Sequence, residues 1–191
     1  PGSMSHSMPS SATAVFMDRI SKRFGAVQAN REVTLTVAAG TVHGIVGENG
    51  AGKSTLMSIL YGFYQADEGS IEVEGRPVRI DGSRQAIALG IGMVHQHFML
   101  VEPLSALDNV MLGAEPHWRL STARDVVRER LQALMRETGL AVRLDVPVED
   151  LPVGERQRLE ILKALYRGAR ILILDEPTAV LTPQETAALF I

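Results

Sequence analysis

Residues 47–55 read Gly-Glu-Asn-Gly-Ala-Gly-Lys-Ser-Thr, a complete G-x-x-x-x-G-K-[ST] phosphate-binding loop. The apolar run 41–46 before the loop predicts a buried strand, and residues 54–61 after it have apolar side chains at helical spacing. Glycines in the loop let backbone N–H groups turn inward towards phosphate oxygens, and the following helix adds the positive end of its dipole. The sequence therefore predicts a strand–loop–helix unit that binds a nucleotide.

Each residue of this loop has a predicted role in holding the nucleotide. Lys53 would reach the β- and γ-phosphates, and the Ser54 hydroxyl would ligate Mg²⁺. The other predicted nucleotide contacts in the loop are Gly47, Glu48, Asn49, Gly50, Ala51, Gly52 and Thr55. The alternative is a glycine-rich turn without a ligand, which we disfavour because the full pattern rarely arises by chance.

Bulk composition excludes several classes of function. The 191 residues carry a formal net charge of −3, which gives no broad attraction to nucleic acid. The absence of cysteine excludes a disulfide framework and a thiolate zinc site, and it fits a reducing compartment. No apolar run approaches the roughly 18 residues that cross a bilayer, so we expect any membrane role to go through a partner.

The rest of the chain predicts a single α/β domain. Residues 1–12 are small and polar and read as a disordered leader that includes a cloning remnant, so the domain is expected to cover 13–191. A mostly helical insertion is expected at about 100–165. Outside it, strands are predicted at 15–20, 32–37, 71–73, 91–94 and 170–175, and helices at 83–89 and from Pro183 onward.

A second acidic motif ends the predicted strand at 170–175. Asp175, at the carboxyl end of a buried strand, can hold the magnesium shell from the side opposite Ser54. Glu176 is placed to orient or deprotonate an attacking water. An apolar strand that ends in Asp-Glu is weak support by itself, but a phosphate loop in the same chain strengthens this interpretation.

Four motifs in this order resemble the ATP-binding cassette (ABC) ATPases. They are the loop 47–55, Val-His-Gln-His-Phe at 94–98, the stretch 151–162 that begins Leu-Pro-Val-Gly-Glu, and Leu-Asp-Glu-Pro-Thr at 174–178. The resemblance covers nearly all of the chain from about residue 13. It implies a P-loop NTPase core with a mixed sheet, an antiparallel β subdomain and a helical insertion, with ATP and Mg²⁺ as cofactors.

Within that superfamily the chain looks most like the ATP-binding subunits of simple-sugar and nucleoside importers. Residues 92–100, 162–169 and 176–185 carry this narrower resemblance. It implies transmembrane permease subunits as partners, a second cassette in a head-to-tail dimer, and indirectly a solute-binding protein, with no nucleic acid. The implied location is the cytoplasmic face of the cell membrane, as a peripheral subunit.

The resemblance also assigns roles to residues outside the loop. Gln96 matches the glutamine that reaches the metal and couples the nucleotide site to the membrane subunit. Phe24 matches the aromatic residue that stacks on adenine; the alternative is a core phenylalanine, for which Phe16 is the better candidate. Gly154 matches the signature-motif glycine, at the start of a helix that faces the ATP of the opposing cassette.

The chain departs from the family pattern in three places. Pro152 replaces the serine of the signature motif, and proline has neither that hydroxyl nor a backbone N–H. Residues 178–181 read Thr-Ala-Val-Leu, where the family's loop commonly ends in aspartate. No histidine follows Asp175, so the family's switch histidine and the C-terminal part of the domain are expected to be missing.

Three functional hypotheses follow. The first is an ATP-binding and ATP-hydrolysing subunit that powers an importer for a sugar or a nucleoside, in which case this chain alone should bind ATP with little hydrolysis. The second is a soluble ABC-type ATPase that acts on ribosomes or DNA. The third is a non-catalytic nucleotide-sensing cassette. This hypothesis is plausible because Pro152 replaces the serine of the signature motif.

Overall fold

The computed structural model describes residues 12–48, 50, 52–94, 99–112 and 120–174, except for the side chains of 120–122. The chain divides into two compact units between Gly82 and Ser83. The elements in chain order are β1 Thr13–Phe24, β2 Val27–Ala38, α1 Lys53–Tyr61, β3 Glu68–Val73, β4 Arg76–Val78, α2 Ser83–Ala88, β5 Ile91–Val94, α3 Ala106–Met111, α4 Leu120–Thr138, a 3-10 turn Val148–Asp150, α5 Val153–Tyr166 and β6 Ile171–Leu174.

The first unit is built on an antiparallel sheet with strand order β2-β1-β3-β4. The predicted strands at 15–20, 32–37 and 71–73 are confirmed within β1, β2 and β3. Val15 and Met17 of β1 are buried on alternate positions, and after a register shift between Met17 and Ile20 the strand buries Ile20 as well. Gly25 turns the chain from β1 into β2 with a positive φ of 56°.

Helix α1 belongs to the same unit and packs against β2. Its buried side chains, Leu56, Ile59 and Leu60, follow the helical spacing predicted from the sequence. Gly62 ends the helix in the left-handed conformation, with φ 86°. A Cβ at Gly62 would lie 2.7 Å from the Gly82 carbonyl oxygen, so the close approach as well as the φ requires glycine.

The prediction of a strand before the phosphate loop is wrong. Residues 41–48 have no regular secondary structure and are exposed, and Val46 is 97% exposed. A buried parallel strand needs a neighbouring strand on which to form hydrogen bonds, and neither sheet of the described residues pairs with this segment. Apolar composition indicated the strand, but composition does not supply a partner.

The second unit contains the parallel pair β5 and β6, in register from Ile91 opposite Ile171 to Val94 opposite Leu174. Both strands were predicted, and all of β5 is buried. Helix α5 packs against β5 at Gly92, where a Cβ would lie 2.9 Å from the Cβ atoms of Ala164 and Ala169. Small residues therefore bring the helix and the strand close together.

A helical cluster completes the second unit. Helices α3, α4 and α5 contact one another and fall within the segment predicted to be mostly helical. Leu107, Leu131 and Leu159, one from each helix, are fully buried in a common apolar core. The buried Asn109 side chain closes the loop before α3, because its amide donates to the carbonyls of Val101, Leu104 and Ser105.

Candidate nucleotide site

Two glycines shape the described part of the phosphate loop. Gly50 and Gly52 both have φ of 82°, in the left-handed region that favours glycine. Gly52 is the N-cap of α1, and its carbonyl accepts the first helical hydrogen bond from the Leu56 N–H at 2.9 Å. The loop therefore passes directly into the helix at the position that the motif predicted.

Gly52 also lies very close to β2. A Cβ at this residue would lie 2.1 Å from the carbonyl oxygen of Ala29 and 2.7 Å from Nδ2 of Asn30. Atoms cannot approach that closely, so any side chain would force the loop away from the strand. The glycine is needed both for its backbone conformation and for this contact.

Lys53 folds back over the loop that precedes it. Its ammonium donates to the carbonyl oxygens of Gly47 at 2.5 Å and Glu48 at 2.8 Å, and the residue is half-buried. These acceptors are uncharged carbonyl oxygens, so they hold the ammonium beside the loop without neutralising its charge. A phosphate group near the loop would meet an ammonium whose position is already restricted.

The first turn of α1 suits an anion. It contains no acidic residue, and no side chain caps it. Helix α3 contrasts with it, because the Ser105 hydroxyl accepts from the Asp108 N–H at 3.1 Å and Asp108 adds a negative charge. The N-terminal end of α1 thus keeps its positive dipole end uncompensated by its own side chains. Ser54 is exposed in this turn.

Phe24 lies at the end of β1, beside the hairpin turn. Phe24 is 41% exposed, whereas Phe16 on the same strand is partly buried. Its ring meets the Tyr64 ring edge to face, and Nζ of Lys22 lies 5.4 Å from the ring centroid. This exposure argues against the alternative of a core phenylalanine. Stacking on adenine stays a prediction.

The predicted site residues fall into three groups. The first unit contains Phe24, Gly47, Glu48, Gly50, Gly52, Lys53, Ser54 and Thr55, and the second unit contains Gly154. Asn49, Ala51, Gln96, Asp175 and Glu176 lie outside the described residues. Of the predicted magnesium ligands, the described residues thus include Ser54 alone.

Helix α5 begins where the signature motif predicted, with Gly154 in its first turn. The N-cap is Pro152, and no side chain caps the helix. The acidic residue of the first turn, Glu155, is paired with Arg143, whose Nε lies 3.1 Å from Oε1. Among the described residues, a Cβ at Gly154 would meet only Nη1 of Arg158, at 3.8 Å, so their packing leaves room for a side chain there.

Lys163 ties α5 to the segment that follows Gln96. Its ammonium donates to the carbonyl of Met99 at 2.9 Å and lies 3.8 Å from the carboxylate of the buried Glu160. Burial lowers the pKa of Lys163; the charge of Glu160 opposes that shift and the charge of Arg167 adds to it. The carbonyl and the carboxylate compensate in part for burying the charge.

Sequence reasoning missed the polar residues around the loop, above all Asn30. This residue is 4% exposed, and its Nδ2 donates to the Gly52 carbonyl at 3.1 Å. Asparagine is disfavoured inside strands, so its presence within the alternating pattern of β2 was the available signal.

Comparison with known proteins identifies the family. The ABC transporter family profile matches residues 30–179. The chain belongs to the ABC transporter family. Its fold is that of an ABC ATPase: a crystal structure of a nucleotide-free ATP-binding cassette from an ABC transporter superposes with a TM-score of 0.76, at 25% identity, over 93% of this chain and 74% of that one.

Curated relatives of this ABC family member are closer in sequence. The chain is 47% identical over 177 residues to the nucleoside import ATP-binding protein NupA of Lactococcus lactis, and 49% identical over 180 residues to the ribose import ATP-binding protein RbsA 1 of Burkholderia thailandensis. Each match covers 93% of this chain and 35% of the relative, so the chain spans about a third of their length. Among the described residues, no helix is both long and apolar enough to cross a membrane.

Proposed function

We propose that this chain is an ATP-binding and ATP-hydrolysing cassette of an importer for a sugar or a nucleoside. The observation that carries the proposal is the position of Lys53, held by the carbonyls of Gly47 and Glu48 at the uncapped first turn of α1. A bound triphosphate would find an ammonium, a helix N-terminus and the backbone N–H groups of the loop at one place. The names of both relatives support the importer reading.

The described residues fit Mg-ATP as a ligand. The first turn of α1 has no carboxylate to repel phosphate, and the exposed Ser54 presents a hydroxyl, an oxygen ligand that Mg²⁺ accepts. Bound Mg²⁺ would draw negative charge from the β- and γ-phosphate oxygens. The loop residues and Lys53 would position the phosphates, and Phe24 would stack on adenine.

The hydrolytic roles rest on the family resemblance. Glu176 would orient or deprotonate the attacking water, while Gln96 and Asp175 would complete the magnesium shell with Ser54. Gly154 would face the ATP of a second cassette in a head-to-tail dimer. We further propose that residues 13–191 form the nucleotide-binding domain, with a helical subdomain at about 100–165.

The proposed partners follow from the same assignment. Transmembrane permease subunits would receive the conformational change, a solute-binding protein would act indirectly, and the cassette would lie at the cytoplasmic face of the membrane. The relatives are import ATP-binding proteins, which supports this view and gives no support to a ribosomal or DNA-directed ATPase.

Affinity purification of the full-length protein from its native membranes tests the function. We expect integral membrane subunits to co-purify, and ATP turnover that Glu176→Gln abolishes and Lys53→Ala lowers. Co-purification of ribosomal RNA or DNA without membrane subunits would contradict the importer assignment. Tight ATP binding without turnover in the complete assembly would support the non-catalytic alternative instead.

A further inference from the structure

We propose that Asn30 is a positioning residue that sets the geometry of the phosphate loop and links it to the hairpin carrying Phe24. The expected effect of Asn30 on nucleotide binding rests on the proposed function. Its structural basis lies entirely within the first unit.

The direct contact is made at the point where the loop becomes a helix. Nδ2 of Asn30 donates to the Gly52 carbonyl at 3.1 Å, and the same oxygen accepts the Leu56 N–H at 2.9 Å. One oxygen thus joins β2, the loop and the first turn of α1. Rotation of the peptide after Gly52 would break both bonds, so the Asn30 amide restrains the residue that precedes Lys53.

Packing alone does not explain an asparagine at this position. The side chain is buried, and its Oδ1 accepts no hydrogen bond from the described residues. A buried acceptor without a donor destabilises the fold, and leucine would fill a similar volume without that cost. The hydrogen bond that the amide donates to the Gly52 carbonyl explains why asparagine occupies this position.

A chain of hydrogen bonds extends from Asn30 to the hairpin. Gln28 Nε2 donates to the Asn30 carbonyl at 2.6 Å, and Oε1 of Gln28 accepts from Nε and Nη2 of Arg23 at 3.1 and 2.8 Å. The Arg23 N–H in turn donates to Asp67 Oδ2 at 2.7 Å. Arg23 lies next to Phe24 in β1, so these bonds, which reach the main-chain carbonyl of Asn30, connect the strand that carries the predicted base contact to the residue that holds Gly52.

The experiment replaces the donor and follows two independent readouts. Asn30→Leu should weaken Mg-ATP binding by about three- to tenfold, the effect of losing one neutral hydrogen bond. It should also speed amide hydrogen exchange at Leu56, while exchange within the β1–β3 pairing stays unchanged. Thr36→Val, on an exposed position of β2, is the matched control and should change neither readout.

The readouts separate failure of this inference from failure of the proposed function. Wild-type exchange at Leu56 and wild-type ATP affinity in Asn30→Leu would overturn the positioning role. If the wild-type chain bound no Mg-ATP, the proposed function would fail, and exchange at Leu56 would still decide the role of Asn30. Asn30→Ser, whose shorter side chain leaves Gly52 without this donor, gives the same test if Asn30→Leu does not fold.

Discussion

The ring of Phe24 meets the ring of Tyr64 edge to face, with centroids 5.0 Å apart and planes inclined by 73°. This contact restricts the orientation of the Phe24 ring, and the residue remains 41% exposed. An exposed aromatic ring with a restricted orientation is suited to stacking on a planar base, because little side-chain freedom remains to be lost on binding.

Replacing Phe24 should separate recognition of the base from recognition of the phosphates. Stacking on an aromatic side chain is worth about 1–3 kcal/mol, so Phe24→Ala should weaken ATP binding by a factor of about 5 to 160. Affinity for inorganic triphosphate should not change. Calorimetric titration of both ligands measures this, with Phe63→Ala as the control because Phe63 is 49% exposed and pairs with Tyr61 instead. Equal ATP affinities for wild type and Phe24→Ala would contradict the stacking role.

Two glycines of the phosphate loop should differ in their tolerance of alanine. Both have φ of 82°, but a Cβ at Gly50 would meet no atom of the described residues within 4 Å, whereas one at Gly52 would lie 2.1 Å from the Ala29 carbonyl oxygen. Gly50→Ala should therefore cost about 1 kcal/mol of backbone strain. Gly52→Ala should cost about 3 kcal/mol, because overpacking adds to that strain. Urea unfolding of the two variants measures the difference, and equal stabilities would show that the approach to β2 is not restrictive.

Acid should remove a stabilising contribution from Asp67. The Lys22 ammonium, which donates to its carboxylate at 2.8 Å, and then the Arg23 N–H hold the pKa of Asp67 below its ordinary value. The unfolded chain thus binds this proton at higher pH than the folded chain does. The contribution is complete above the ordinary pKa and is lost as the pH falls through the folded pKa.

Lys22→Met should raise the pKa of Asp67 towards its ordinary value, as followed by NMR titration of the carboxyl carbon. Asp67→Asn should flatten the acid limb of the stability curve over the same pH range. An unchanged Asp67 titration in Lys22→Met would show that the ion pair does not set that pKa.

Helix α5 should gain a cap when serine replaces Pro152. The φ of −56° and ψ of 154° at this residue are open to serine, whose hydroxyl can accept from the Glu155 N–H. Pro152→Ser should stabilise the chain by up to about 1 kcal/mol relative to Pro152→Ala, which has the same backbone freedom but no hydroxyl. In the full-length protein, Pro152→Ser should also raise ATP turnover. Thermal unfolding and turnover that are the same in both variants would contradict this account.

The sequence predicted the local features of the site because these follow from short-range chemistry. The glycines of the loop, the helix that begins at Lys53 and the helix that carries Gly154 were each expected from motif and periodicity. These features depend on backbone preference and spacing, which neighbouring residues determine.

Features that depend on distant parts of the chain could not be predicted in this way. The apolar segment 41–46 indicated a buried strand, but strand formation requires a partner that its own residues do not specify. The Asn30 side chain bonds to Gly52, and the Arg23 N–H bonds to Asp67. These partners are too far apart along the sequence for a local pattern to predict the bonds. The polar network around the loop became visible only in three dimensions.

Calorimetric titration of Mg-ATP into this chain, beside Lys53→Ala, tests whether residues 47–55 form a nucleotide-binding site. We expect saturable binding by the wild-type chain that Lys53→Ala weakens at least about tenfold, because it removes a charge-assisted contact with the phosphates. Equal binding by the two proteins, or no binding by either, would contradict the assignment of residues 47–55 as a formed nucleotide site.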